Sequence, residues 1–418
     1  MKKILLYIFI ISSLALYSQD KSNSYRMKHN TIQLNSHISL ESNNLNTNLL
    51  NTLLYGGYID DEMKDNWINT GDKNNKLNSE FINGIRYIFQ NKNNRYFYLQ
   101  ISDINNLSSN FTDDFLKLIL YGNFNYQGDT LDFSNTSIRI NRYQQYKFGY
   151  NFNIIKDKTN YNIGAALAYL SGNHYMQLNI DEGNLYTHEM GTSLDINYDI
   201  KTMMTDTSNF SPFTNNGNGV SLDFSLHINK EDNIIGVHMR DLGFIKWKKK
   251  SIINNTDSSF RFSGIEIEDF NNITAFNDSI LDITLSKKNN YFRSFIPAKI
   301  TFSYNKILDH NIFKNIWIAT HTVWQPFYVE GGINTDLIYR GFKESVYDNS
   351  LEVISNLNIE LVNFSLGFRK SGITEKTNLI LEISDKKEIL KIGTFHLNEF
   401  FNNDKNSSSL YFSLTARF

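Results

Sequence analysis

The chain has 418 residues, no cysteine and a nearly balanced charge, with 41 Lys and Arg against 43 Asp and Glu. The lack of cysteine excludes disulfides, thiolate metal sites, a cysteine nucleophile and a lipid-anchored cysteine. The net charge of −2 excludes the basic excess that is typical of nucleic-acid binding. Hydrophobic residues make up 41% of the chain, yet the mean hydropathy is −0.39, so apolar residues must be interspersed with polar ones.

The first 18 residues predict a cleaved secretory signal peptide. Lys2 and Lys3 precede an apolar run over residues 4–16, and the small residue Ser18 provides a cleavage point. The alternative is an N-terminal anchor helix, but the run is shorter than the about 20 residues that a spanning helix needs. We therefore expect residues 19–418 to be exported as a single domain without a transmembrane helix.

Two segments in the first third of the chain have helical character. In residues 111–122, Thr112 can cap a helix, and Asp113 and Asp114 suit its first turn. In residues 41–79, five leucines have helical spacing: Leu45, Leu49, Leu50, Leu53 and Leu54. Both segments are too short to span a membrane, so we expect them to plug a barrel or to lie at its periplasmic mouth.

Most of the remaining chain alternates apolar and polar residues. Examples are YKFGYNFNI (residues 146–154), GVSLDFSLHIN (residues 219–229) and VNFSLGF (residues 362–368). A period of two predicts β-strands with one apolar and one polar face. Stretches rich in Asn and Gly between these segments predict hairpin turns.

Such strands belong either to a soluble sandwich or to an outer-membrane barrel, whose apolar face meets lipid and whose polar face lines the lumen. The polar positions are often small and uncharged, which suits a barrel interior. Several segments approach the about 9–11 residues with which a tilted strand crosses a bilayer. An exported chain without a spanning helix can cross a membrane only as a closed barrel. The sequence thus predicts an all-β, antiparallel up-and-down transmembrane barrel of about 14 strands, an even number as in bacterial barrels.

The last ten residues, SLYFSLTARF, resemble the assembly signal of outer-membrane barrels. Leu410, Phe412 and Leu414 alternate with polar residues, and the chain ends on Phe418. The alternative is a soluble strand that happens to stop at Phe. Together with the leader, this ending favours a barrel in the outer membrane of a Gram-negative cell, with the last strand paired to the first.

Three segments, residues 120–151, 218–250 and 296–305, resemble an outer-membrane barrel family common in Bacteroidota. The phrase DLGFIKW, residues 241–247, carries the resemblance best. That family is named only for a domain of unknown function and is loosely grouped with FadL-like and PorV-like barrels. The resemblance covers most of the chain and implies an outer-membrane barrel without a settled activity.

No catalytic or nucleotide-binding motif is present in the sequence, so we expect neither an enzyme nor a cofactor. His227 and His238 fall on neighbouring predicted strands but lack a further ligand at short spacing, which favours lumen-facing or solvated histidines over a metal site. Asp195, Asp199, Asp223 and His227 take the polar faces of their strands. They form either an acidic lumenal patch that selects permeants or, as we favour, ordinary hydrogen bonds across the interior.

Four residues near strand ends are candidates for the membrane interface: Trp247, Lys248, Trp317 and Trp324. Aromatic residues form girdles at both interfaces of membrane barrels. The basic run over residues 246–250 is either a solvated strand end, which we favour, or a basic surface at the barrel rim that touches lipid phosphates.

The sequence predicts a channel or transporter for small or hydrophobic molecules, FadL-like, with the N-terminal segment as a hatch. The first alternative is a non-transporting, PorV-like barrel that assists protein secretion or surface assembly. The second alternative is a soluble secreted β protein. The expected partners are outer-membrane lipid and the barrel-assembly machinery, with secretion or surface proteins as further partners of an accessory barrel and no nucleic acid.

Overall fold

The structure is a computed structural model that describes residues 30–46, 52, 56–70, 74–91, 95–206, 211, 213–248, 250–262, 288–326, 335–343, 345–347, 349–359, 362–402 and 406–418. The predicted signal peptide lies outside the described residues. So do Leu49, Leu50, Leu53 and Leu54 of the Leu-rich stretch, whereas Leu45 is described and is buried outside any helix.

The described residues form one antiparallel sheet of 19 strands. The strands are β1 Thr31–Ser42, β2 Asn75–Asn91, β3 Arg95–Phe111, β4 Thr130–Asp132, β5 Thr136–Lys156, β6 Thr159–Thr187, β7 Leu194–Met204, β8 Gly217–Lys230, β9 Asn233–Trp247, β10 Ile252–Phe262, β11 Lys288–Asn289, β12 Arg293–Phe295, β13 Ala298–Ile307, β14 Phe313–Trp324, β15 Ser350–Asn358, β16 Val362–Lys370, β17 Thr377–Asp385, β18 Leu390–Thr394 and β19 Ser407–Arg417.

Fourteen of these strands close into a barrel, which confirms the predicted fold class and strand number. The ring runs β1, β2, β3, β5, β6, β8, β9 and then β13 through β19 in chain order. Thr31 pairs with Arg417 and Leu34 with Leu414, so the last strand closes on the first.

The apolar face of the wall points outward and the polar face inward. On β5, Tyr146 and Phe148 are exposed, whereas Lys147 between them is buried. On β8, Leu222 is exposed and its neighbour Ser221 is buried. An apolar exterior around a polar interior is the arrangement of a transmembrane barrel and the reverse of a soluble sandwich. The chain is therefore a transmembrane β-barrel.

The two ends of the barrel differ. One end carries the chain termini and short connections such as residues 157–158, where positive φ angles at Asp157 and Lys158 make a two-residue hairpin turn. Among the described residues, the other end, the long-loop mouth, carries three helices and three short 3-10 segments. These are α1 Asp61–Thr70, α2 Asp113–Tyr121, α3 Thr335–Lys343, and the 3-10 segments Phe124–Tyr126, Glu189–Gly191 and Leu397–Phe401.

Helices α1 and α2 pack together over the ends of β2 and β3. Trp67 of α1 and Leu116 of α2 share a hydrophobic cluster with Leu77 and Phe111. Thr112 caps α2 as expected, because its hydroxyl accepts a hydrogen bond from the Phe115 amide at 3.2 Å. None of the helices among the described residues is long and apolar enough to cross a membrane.

Strand β6 is longer than the wall requires and continues past the ring at the long-loop mouth. Its first part, up to Gly172, pairs with β8, whereas its last part, from Met176 to Thr187, pairs with β7. Strand β7 pairs in turn with β10. These strands therefore form an extension of the sheet beyond the barrel.

Candidate functional site in the barrel lumen

Among the described residues, three groups of ion pairs lie on the polar inner wall, in addition to the pair of Lys391 and Glu382. The first group centres on Lys147 of β5, whose Nζ lies 2.5 Å from Asp223 Oδ2 and 2.9 Å from Asp241 Oδ1. Gln145 also donates to Asp241 Oδ1, at 2.7 Å. One ammonium group thus joins two carboxylates from the neighbouring strands β8 and β9.

A bulge in β9 places Asp241 in the first group. The pairing of β8 with β9 shifts register between Leu222 and Phe224, and Asp241 adopts a φ of 61°. In this position the Asp241 amide donates to Asp223 Oδ1 at 2.8 Å. The start of the DLGFIKW phrase therefore builds a lumenal ion-pair group, a role that our sequence analysis missed. The signal was present, since the outward apolar positions change from odd to even numbers between Met239 and Leu242.

The second group crosses the lumen. Lys299 Nζ of β13 lies 2.5 Å from Glu80 Oε1 of β2, and His37 Nδ1 of β1 lies 3.6 Å from Glu80 Oε2. Five strands of the ring separate β2 from β13 on one side and seven on the other. Side chains from nearly opposite walls therefore meet inside the barrel.

The third group centres on Arg369 of β16. Its Nη2 lies 3.2 Å from Glu41 Oε1, and its Nε lies 3.7 Å from Glu352 Oε1. Ser371 donates to Glu41 Oε2 at 2.9 Å, and His396 Nε2 lies 3.3 Å from Glu41 Oε1. Strands β1, β15 and β16 are thereby tied together on the inside.

An apolar cluster fills the inner wall beside these charges. Trp247, Tyr175 and Phe292 stack on one another with ring centroids 5.3–6.1 Å apart, and Leu170 and Ile245 are fully buried against them. Side chains therefore fill the part of the lumen beside this cluster. Because buried charges are costly within a membrane span and are commonly functional, the ion-pair groups are the candidate site.

The structure does not bring together the four candidates for an acidic lumenal patch, the alternative that we did not favour: Asp195, Asp199, Asp223 and His227. Asp223 and His227 face the lumen on β8, but Asp195 and Asp199 lie on β7, in the extension beyond the ring. The sequence could not show that β6 extends beyond the barrel wall and pairs there with β7.

In the extension, Asp195 forms an ion pair with Arg261 of β10. Its Oδ1 and Oδ2 accept from Arg261 Nε at 2.5 Å and Nη2 at 2.7 Å, and His188 Nε2 lies 3.1 Å from Oδ2. The hydrogen bonds from Arg261 lower the pKa of Asp195 to about 2. Asp195 therefore stabilises the β7–β10 pair and is not a lumenal selector.

His227 and His238 approach each other on the inner wall, as expected for neighbouring strands. Their Nε2 atoms are 2.7 Å apart, and their rings meet edge to face. Within the part of the chain that the structure describes, no group of three or more His, Asp and Glu residues is arranged to hold a metal ion. The pair is therefore a hydrogen-bonded contact between β8 and β9.

The predicted interfacial positions of Trp247 and Trp317 are wrong. Trp247 faces inward, is 0% exposed and donates to Ser294 Oγ at 2.8 Å, because the Asp241 bulge reverses the alternation of β9. Trp317 also faces inward, in a cluster with Ile354. Trp324 ends β14 on the outer face, where it pairs with Ala298 and is covered by Leu337 of α3, so its interfacial position stays a prediction. Of the four candidates only Lys248 is exposed, at the rim.

The predicted assembly signal lies on the outer face of β19. Leu410, Phe412 and Leu414 all point away from the lumen. Phe418 is 61% exposed and stacks on Tyr87 with ring centroids 6.2 Å apart. Recognition of this strand by an assembly machinery remains a prediction.

The chain belongs to a family of unknown function, DUF5723, whose model matches residues 22–328. Membership confirms the resemblance read from the sequence to a family named only for an unknown function. A comparison with curated proteins finds no match.

Solved structures that match the chain do so at low sequence identity. One is a mutant of TodX, described as a monoaromatic hydrocarbon channel, with 7% identity, a TM-score of 0.45 and coverage of 97% of this chain and 95% of that one. Another is the translocator domain of the autotransporter NalP from Neisseria meningitidis, with 7% identity and a TM-score of 0.34. The match covers 94% of this chain and 90% of that one.

Proposed function

We propose that this protein is an outer-membrane channel or transporter for small polar solutes, closed in the present conformation by its lumenal ion pairs. The Glu80–Lys299 pair carries the proposal, because it spans the interior between nearly opposite walls. An ion pair at such a place adds little stability over apolar packing, so a role in the passage of solutes accounts for it better. The polar lining favours polar rather than hydrophobic cargo.

The lengths of the connections set the orientation in this proposal. Membrane barrels of bacteria have short periplasmic turns and longer extracellular loops. The end with the termini and the turn at residues 157–158 is then periplasmic, and the long-loop mouth is extracellular. With this orientation, α1 and α2 cover part of the extracellular mouth and do not lie at the periplasmic mouth.

A second candidate function is a non-transporting accessory of secretion or surface assembly. The filled interior favours it, because the Trp247 cluster and the Arg369 group occupy space that an open pore would need. In that case the ion pairs would serve only to hold the walls together. The two candidates differ in whether removal of the crossing pair creates a path for ions.

Single-channel conductance in planar bilayers separates the two functions. We expect the wild-type barrel to be closed for most of the time, and the Glu80→Gln/Lys299→Met double variant to conduct more often or at a higher level. Lys306→Met is the matched control, because Lys306 lies on the same strand but is exposed on the outer side near Asp232. If neither the wild-type protein nor the double variant conducts ions or small solutes, the channel proposal is wrong and the accessory function stands.

A further inference from the structure

Two cations face each other on the outer wall at the long-loop mouth. Lys246 of β9 and Arg293 of β12 are directly paired across the two strands, and both are exposed. Each approaches an aromatic ring, with Lys246 Nζ 5.1 Å from the centre of Tyr291 and Arg293 Cζ 5.7 Å from the centre of Phe244. We call these four residues the rim patch.

The rim patch lies where the apolar belt of the wall ends. On β9 the outward residues from Ile235 to Phe244 are apolar, and the next outward residue is Lys246. This stretch measures about 30 Å along the strand at about 3.3 Å per residue. A tilt of about 40° reduces its height to about 23 Å, close to the about 25 Å of an outer-membrane apolar band. The rim patch is therefore level with lipid headgroups.

Among the described residues, no acidic side chain forms an ion pair with the two cations of the rim patch. Like charges directly opposite each other on paired strands are destabilising. No ion pair between described residues includes Lys246 or Arg293, although such pairs are numerous in the lumen. The exposed Lys248 adds a third positive charge at the same edge. The local field therefore favours an anion between the two side chains.

We infer that the rim patch binds the phosphate group of an anionic lipid in the adjoining leaflet. A phosphate between Lys246 and Arg293 would relieve their repulsion, and a guanidinium group suits phosphate oxygens because it can donate two parallel hydrogen bonds. Tyr291 and Phe244 flank the site as amphipathic or apolar rings do at an interface. The apolar belt below the patch receives the acyl chains. This inference goes beyond the proposed transport function and does not depend on it.

Titration of the purified full-length protein in detergent with two matched lipids tests the inference. The lipids are dioctanoyl phosphatidic acid and dioctanoylglycerol, which share acyl chains and differ in the phosphate. We expect wild-type protein to bind the first and not the second. The Lys246→Gln/Arg293→Gln variant should bind phosphatidic acid about 30-fold more weakly, roughly fivefold for each cation lost. Binding should also weaken as salt is added.

The control variant is Lys156→Gln/Lys158→Gln, which removes two exposed lysines at the opposite end of the barrel. It should bind phosphatidic acid within twofold of wild type, and heat-modifiable gel migration should show that both variants are folded. The inference is overturned if dioctanoylglycerol binds as well as phosphatidic acid, or if the control variant loses as much affinity. Equal binding of inorganic phosphate would overturn the assignment to a lipid.

Discussion

Lys299 and Glu80 form an ion pair across the barrel, with Nζ 2.5 Å from Oε1, although five strands separate β2 from β13 on the shorter path around the ring. A lysine and a glutamate can meet in this way only where the two walls come close together. The contact therefore fixes the distance between the walls as well as neutralising two charges.

Loss of one partner of this pair should destabilise the barrel. Lys299→Met leaves the Glu80 carboxylate buried with its main counter-charge removed, which typically costs about 3–5 kcal/mol. Unfolding in urea, followed by the loss of heat-modifiable gel migration, measures the change. Adding Glu80→Gln to Lys299→Met should restore most of the lost stability, because no charge of the pair is then left without its partner.

Lys306→Met provides the baseline for that experiment, since an exposed pair contributes about 0–1 kcal/mol. A Lys299→Met variant as stable as Lys306→Met would show that water or another group compensates Glu80.

The closing strand should tolerate changes on its inner face but not on its outer face. Phe412→Lys and Leu414→Lys place a charge against lipid, which costs about 2–4 kcal/mol near the bilayer midplane. Deletion of Phe418 removes the stack on Tyr87. We expect each change to block or reduce membrane assembly, measured as the heat-modifiable fraction in outer membranes. The inward Thr415→Ser is the control, and normal insertion of the outer-face variants would contradict the assembly role.

The sequence predicted the barrel well because the wall repeats one simple pattern. Strands such as β8 keep an unbroken period of two, so their outward and inward faces could be assigned before the structure. The even strand number followed from the rule for bacterial barrels, and the closure of β19 on β1 followed from the apolar pattern of the C-terminal strand.

Three physical features explain why the site was not predicted. A bulge at Asp241 reverses the alternation of β9, and this placed Trp247 inside rather than at the interface. Ion pairs between strands that are not neighbours, such as the pair of Glu80 and Lys299, depend on the shape of the closed ring. The alternation of residues in the sequence does not indicate them. The extension that carries Asp195 depends on the length of β6.

Gly172 should be required for the inward position of Trp247. A Cβ atom at Gly172 would lie 2.5 Å from Trp247 Cζ3, closer than any normal contact. We expect Gly172→Ala to displace the indole and to cost about 1–3 kcal/mol, as overpacking typically does. The emission of Trp247 in a variant with the other tryptophans replaced by Phe would report the displacement. Ala165→Val on the lipid-facing side of the same strand should leave the emission unchanged, and an unshifted spectrum in Gly172→Ala would contradict the packing argument.

The Thr112 cap should stabilise helix α2 without affecting the barrel wall. Thr112→Ala removes the acceptor for the Phe115 amide, and such a loss costs about 1 kcal/mol of helix stability. Hydrogen exchange should therefore become faster in residues 113–121 and stay unchanged in the β5 wall. Thr112→Ser keeps the hydroxyl and should exchange like wild type. Equal rates in the alanine and serine variants would show that packing on Trp67, not the cap, holds the helix.

The extension should open in strong acid but not in mild acid. Because Arg261 lowers the pKa of Asp195 from 3.8 to about 2, the ion pair contributes stability that is fully present above pH 3.8 and is lost as pH falls through about 2. Cleavage of the β7–β10 region by pepsin, which works in acid, should therefore stay slow at pH 4 and accelerate near pH 2. Asp195→Asn removes the pair at every pH, so it should be cleaved faster than wild type at pH 4 and at the same rate as wild type near pH 2. Rapid cleavage of wild type already at pH 4, or slow cleavage of the Asn variant there, would show that other contacts hold β10 to β7.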